Sequence, residues 1–189
     1  MENYSFLTVA QISEGLYKEK GSKFLSFLHP VKSREEVTNI LKEYKVKYYD
    51  SRHVCFAFRL GLKGEDYRAY DDGEPGHTAG DPILNQLKSH EVTNVLLIVV
   101  RYFGGTKLGV SGLITAYKEA AIDALENSEI ENQELKEDLE IEVEFAGIDR
   151  LMKLISKYRV IILSQEFELK AKYFLSIPKV NFYKFKSEL

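Results

Sequence analysis

Cysteine is nearly absent from this 189-residue chain: Cys55 is the only one. A single thiol rules out an internal disulfide framework and fits a reducing compartment. Tryptophan is absent too, which excludes little. There is no large charge excess: the net charge of −3 supplies no global positive field to hold nucleic acid, so such binding must come from a local patch. No apolar run approaches the roughly 20 residues of a membrane-spanning helix. The opening MENYSFLTVAQISEG has neither the basic stretch nor the long apolar stretch of a secretory signal. These absences point to a cytoplasmic protein with no membrane partner. What is present is ordinary for a globular chain, with 44% hydrophobic and 29% charged residues and no low-complexity tract. The length allows one domain or two small ones.

The most structured stretch is VTNVLLIVVRYFGGTKLGVSGLITAYKEAAIDAL, Val92 to Leu125. Its apolar run, Val95 to Val100, reads as a strand buried on both faces. A glycine-rich turn follows, and from Ser111 apolar residues recur at helical spacing through Leu125. Upstream, Tyr4 to Tyr17 reads as a first strand and Phe24 to Leu28 as a second. Ser33, followed by Glu35 and Glu36, is a helix N-cap with acidic residues in the first turn. That helix carries Val37, Ile40, Leu41 and Tyr44 on one face. In HVCFAFRL, alternation sends Val54, Phe56 and Phe58 one way and His53, Cys55 and Ala57 the other. The polar stretch from Leu62 to Asp81 reads as one long loop, with Pro82 at the first position of a helix ending near His90.

A charged, amide-rich segment follows the long helix, and a domain boundary is expected near Gln133 to Lys136. The predicted domains are 1–133 and 134–189. The second reads β, α, β, β and a final helix: a ferredoxin-like pattern without its last strand. Neither part is basic overall. Locally, Arg150, Lys153 and Lys157 sit at i, i+3 and i+7 and give one helix a positive ridge.

Three groups of residues carry possible chemistry. Gly104, Gly105, Gly109 and Gly112 fit neither the Walker nor the dinucleotide spacing. A looser anion site remains open, with Arg101 and Lys107 supplying charge and the helix start near Ser111 supplying N–H donors. The competing reading is that the glycines serve turn geometry and close packing. Asp71, Asp72, Glu74 and His77 place three carboxylates and an imidazole in seven residues, which suits a hard cation or acid–base work. Turn residues of these types more often cap N–H groups or pair with a cation such as Arg101. His53 and Cys55 share a strand face, which raises imidazole activation of a thiolate; a small buried thiol is the commoner outcome.

Taken in order, EKGSKF, HVCFAF, DDGEP, TAGDPIL and TNVLLIVVRYFGGTKLGVSGLITAY resemble the signature of the Impact family, whose bacterial branch is called YigZ-like. The resemblance covers essentially the whole chain. It implies an α+β protein with an N-terminal domain similar to domain 2 of ribosomal protein S5, then a short ferredoxin-like domain similar to domain V of elongation factor G. It also implies translational control, in which eukaryotic members compete for an activator of a stress-responsive translation kinase. For bacterial members it implies an RNA or ribosome role by analogy of fold alone. This chain departs from the family pattern DDGEPSGTAG at Gly76 and His77, and from LGAGGLVRAY at Ser111 and Thr115.

The expectation is a non-catalytic RNA- or ribosome-associated binding protein without a cofactor or metal and without DNA sequence specificity. Its phosphate-binding residues would be Arg101, Gly104, Gly105 and Lys107. Arg150, Lys153 and Lys157 would add a second surface if both domains engage one ligand. Two alternatives stay open: a small metal-dependent hydrolase built on the acidic loop with His53 and Cys55, and a protein-binding regulatory module.

Overall fold

The computed structural model describes residues 4–189. Its elements run β1 (Ser5–Val9), β2 (Ser13–Glu19), β3 (Ser22–Pro30), α1 (Arg34–Lys47), β4 (His53–Leu60), β5 (Asp66–Tyr70), α2 (Gly80–Ser89), β6 (Val95–Tyr102), α3 (Gly109–Glu126) and β7 (Ile130–Glu134). There follow β8 (Lys136–Val143), a 3-10 turn (Phe145–Gly147), α4 (Ile148–Tyr158), β9 (Ile161–Phe167), β10 (Ala171–Pro178) and α5 (Lys179–Glu188). The chain divides into two units, Phe6–Gln133 and Glu134–Leu189, the second also taking Tyr4 and Ser5. Tyr4 joins it because its carbonyl accepts the N–H of Leu135 at 2.7 Å, while the Lys179 ammonium lies 5.7 Å from its ring centroid.

In the first unit, β2, β3, β6, β4 and β5 form a five-stranded antiparallel sheet in that order. Strand β6 lies at its centre, buried on both faces. Val95, Leu97 and Val99 pack with Ile83, Leu87, Ala116, Tyr117 and Ala120 of α2 and α3. Leu96, Ile98 and Val100 pack on the other side with Val37 and the partly buried Ile40, Leu41 and Tyr44 of α1. Alternation in β4 follows the same parity: Cys55 and Ala57 face α2 and α3, whereas Val54, Phe56 and Phe58 face α1. Helix α1 starts where Ser33 Oγ accepts the N–H of Glu36 at 3.2 Å.

Boundaries differ from expectation in several places. The first strand divides into β1 and β2, separated by the segment Ala10–Ile12. Part of the long polar loop is the edge strand β5, paired with β4; its side chains DYRAY are mostly exposed, so an apolar pattern had no reason to mark it. Helix α2 starts at Gly80, which puts Pro82 in its first turn, where a missing N–H removes no intrahelical bond. Helix α3 starts at Gly109, two residues before Ser111.

The second unit has a three-stranded antiparallel sheet, ordered β8, β10, β9, with α4 and α5. Leu139, Ile141 and Val143 of β8 pack with Leu151, Leu154, Tyr158 and Phe185 of the helices. The element order β, α, β, β, α is the one the alternation implied.

Candidate functional site

Arg101 stands at the end of β6, in register with Phe24 on β3 and His53 on β4. It has the same parity as Val95, Leu97 and Val99, so it points to the α2 and α3 side. The loop after β5 folds over this end of the sheet and brings Glu74 against it. Arg101 Nη1 donates to Glu74 Oε1 at 2.6 Å, and the Tyr117 hydroxyl of α3 donates to the same oxygen at 2.7 Å. Both Arg101 and Glu74 are buried, with side chains 7% and 3% exposed. The rings of Phe24 and Phe103 lie 5.6 and 5.7 Å from the guanidinium. Arg101, expected on phosphate, is therefore the partner of a buried carboxylate, although its Nε has no hydrogen-bond partner among the described residues.

The other loop carboxylates hold backbone. Asp71 Oδ1 accepts the N–H groups of Ala79 and Gly80 at 3.0 and 2.8 Å, and its Oδ2 accepts that of His77 at 2.9 Å. Asp71 thus caps α2, whose N-cap residue Ala79 makes no side-chain cap bond. Asp72 Oδ2 accepts the N–H of Val54 at 2.7 Å, and its Oδ1 lies 3.8 Å from Lys45 Nζ. His77 is exposed and pairs with Asp81 at 2.6 Å; the hydrogen bond from its imidazole to that carboxylate raises it above the ordinary value. Among the described residues no three His, Cys, Asp or Glu side chains are grouped to hold a metal ion.

Cys55 is buried between Asp71 and Tyr117, 3.0 Å from the Asp71 carbonyl oxygen and 3.4 Å from the Tyr117 hydroxyl. Burial pushes the thiol well up, the reverse of what a nucleophile needs. His53 turns Nδ1 toward the Asp72 carbonyl oxygen at 2.7 Å and Nε2 toward Glu74 Oε2 at 3.7 Å. The imidazole and thiol share a strand face but serve different neighbours.

Above this network lies a cleft of about 500 Å³. Arg52, His53, Glu74, Pro75, Arg101, Phe103 and Lys107 line one part of it; Leu108, Gly109, Val110 and Leu113, from the start of α3, line the rest. The N-cap of α3, Leu108, makes no side-chain cap bond, and the first turn contains no acidic residue. The helix thus presents uncompensated N–H donors beside two exposed cations, Arg52 and Lys107. Sequence alone does not single out Arg52 or Phe103. Arg52 is placed by its backbone, whose N–H is bound to the Arg101 carbonyl at 2.9 Å, and only the β4–β6 register reveals that proximity.

The glycines divide by role. A Cβ on Gly104 would stand 1.9 Å from the backbone carbon of Gly21, so this position needs glycine for close approach to the β2–β3 turn. Gly105 has φ +90° and open space around it. Neither lines the cleft. In the second unit, Arg150 Nη2 donates to the Glu188 carbonyl at 2.7 Å and Lys157 pairs with the Glu188 carboxylate at 2.7 Å, while Lys153 is exposed. The ridge on α4 is therefore partly occupied by the end of α5.

A sequence profile described as the Impact N-terminal domain matches residues 20–125, the span from the β2–β3 turn to the end of α3. The chain belongs to the Impact family. An Impact family member of Haemophilus influenzae is 31% identical over 172 residues, covering 90% of this chain and 84% of that one. YigZ of Escherichia coli is 26% identical over the same shares of the two chains. A solved structure described as a hypothetical protein superposes with a TM-score of 0.74 at 24% identity, covering 99% of this Impact-family chain and 92% of its own. The α+β architecture in two units is thus shared with a solved relative. No helix among the described residues is long and apolar enough to cross a membrane.

Proposed function

We propose that this Impact-family protein is a non-catalytic RNA- or ribosome-associated binding protein acting in translational regulation, and that the cleft above Arg101 is where it holds RNA. One observation carries this reading: Arg52, Lys107 and the uncapped start of α3 converge beside the half-exposed ring of Phe103. Cations and helix N–H groups suit a phosphate, and an exposed aromatic ring suits a stacked base, the combination used to hold single-stranded nucleic acid. The acidic loop contributes structure here. Asp71 and Asp72 are committed to backbone N–H groups, and Glu74 to Arg101 and Tyr117.

The test is a titration of single-stranded and structured RNA across a salt series, comparing the wild type with Arg52→Ala/Lys107→Ala. Binding should weaken steeply with salt, and the variant should flatten the slope by about 0.7 for each single-strand phosphate it no longer neutralises. Salt-insensitive binding, or a variant indistinguishable from wild type, overturns the reading. Arg101→Ala is a poor probe, since it strands a buried carboxylate. Affinity capture from native lysate with and without nuclease separates an RNA partner from a protein partner.

A further inference from the structure

One side of the cleft presents a pair of hydrogen-bond acceptors, one from His53 and one from Glu74. The Asp72 carbonyl oxygen can only accept, so the 2.7 Å approach places the proton of neutral His53 on Nδ1 and leaves Nε2 as an acceptor. Both hydrogen bonds to Glu74 fall on Oε1, so among the described residues Oε2 keeps only His53 Nε2, at 3.7 Å. Both residues line the cleft. Glu74 cannot swing away, because its side chain is only 3% exposed and is fixed from behind by Arg101 and Tyr117. Two acceptors this close, with no donor between them among the described residues, are complementary to an amino group that reaches both at hydrogen-bond distance.

The rest of the cleft limits what could carry that amino group. The α3 N-terminus with Lys107 and Arg52 favours an anion. Phe103, Leu108, Val110 and Leu113 give an apolar wall with one ring exposed for stacking. A planar, mostly apolar body with an amino donor on its edge and an anionic group beyond it is a nucleotide of adenine, guanine or cytosine. Uracil and hypoxanthine carry a carbonyl oxygen where cytosine and adenine carry the amino group, so in the same pose they set acceptor against acceptor at Glu74 and His53.

We propose that the cleft selects nucleotides whose base carries an exocyclic amino group, reading that group with His53 Nε2 and Glu74 Oε2. This rests on the RNA-binding reading above and names what the site would recognise within RNA.

The experiment uses ligand pairs that differ at the amino group. CMP against UMP, and AMP against IMP, are titrated into the full chain at pH 8 and low salt, following backbone amide shifts of the cleft. CMP and AMP should bind about tenfold tighter than UMP and IMP, because a site built to bond an N–H group rejects a ligand lacking it. Glu74→Gln sharpens the test. Arg101 and Tyr117 both donate, so the amide oxygen must face them and its NH2 must face the cleft, which should reverse the preference toward UMP and IMP. If that variant fails to fold, the wild-type pairs still decide. Equal affinity within each pair, or cleft amides unmoved by all four nucleotides, overturns the proposal. Salt-sensitive RNA binding without pair discrimination removes the amino-group inference and leaves the RNA reading standing. Discrimination among nucleotides with no binding to longer RNA does the converse.

Discussion

Each unit holds a glutamate between a cation and a tyrosine hydroxyl. In the first, Arg101 and Tyr117 bind Glu74; in the second, Lys157 and Tyr158 bind Glu188, with Tyr158 at 2.7 Å. The donors match in kind, and the burial does not: the Glu74 side chain is 3% exposed and that of Glu188 is 42%. Glu74 is fixed in place by its surroundings and forms the wall of a cleft. Glu188 lies on the surface and offsets a basic ridge that would otherwise face solvent. The same constellation forms a cleft wall in one unit and covers part of a basic ridge in the other, and burial decides which.

The sharpest test of that contrast is stability. Glu74→Ala leaves the buried Arg101 guanidinium unpaired and should cost about 3–5 kcal/mol, read as a shift in urea midpoint. Glu188→Ala removes a solvated partner and should leave the midpoint nearly unchanged. Equal effects would mean that Arg101 finds water or another acceptor when Glu74 is gone. Next in size is Gly104→Ala, whose methyl would overlap the Gly21 backbone; overpacking of this kind costs about 1–3 kcal/mol. It tests whether the rim of the cleft is rigidly tied to the β2–β3 turn.

A smaller effect concerns the two basic groups as ligand anchors. Arg52→Ala/Lys107→Ala should lower low-salt RNA affinity about tenfold, on the scale of two phosphates left without a cation. Lys153→Ala/Lys157→Ala should change it by less than about threefold, since one of the pair already serves Glu188. A larger effect from the second variant would reverse the ranking of the two surfaces.

How much of this is legible in the sequence depends on whether a signal is local. The buried β6 strand, the β4 alternation and the α4 span are readable because period and apolarity coincide there. Strand β5 is not, because an exposed edge strand carries no apolar pattern. The acidic loop and Arg101 are both visible as sites of interest, and their pairing stands among the readings of that loop. The role of Arg101 as a phosphate ligand does not follow into the geometry, because nothing in RYFGG states that the side chain points inward. Arg52 is hidden for the opposite reason: it comes to the cleft through cross-strand register, which separates it from Lys107 by 55 positions of sequence. Cys55 shows how burial settles an open question. The strand face is readable, and the desolvation that raises the thiol is not.

The smallest effect comes from Glu188 itself and shows as a pH dependence. Its carboxyl is held below the usual value of 4.5, first by the hydrogen bond from Lys157 and then by that from Tyr158, while Glu188 raises Lys157 above 10.5. A carboxylate whose folded value is depressed contributes stability above 4.5 and loses it as pH falls through the lowered value. The raised lysine contributes below 10.5 and loses its share as pH rises through the higher value. Glu188→Gln removes both. The melting temperature of wild type should exceed that of the variant slightly at neutral pH, and the two should converge in acid once Glu188 is protonated. At neutral pH and low salt the same variant unmasks Lys157 and should bind RNA slightly more tightly than wild type. A melting difference that persists in acid would place the contribution of Glu188 in packing. In that case the ridge on α4 is not masked by charge, and the contrast with Glu74 would rest on burial alone.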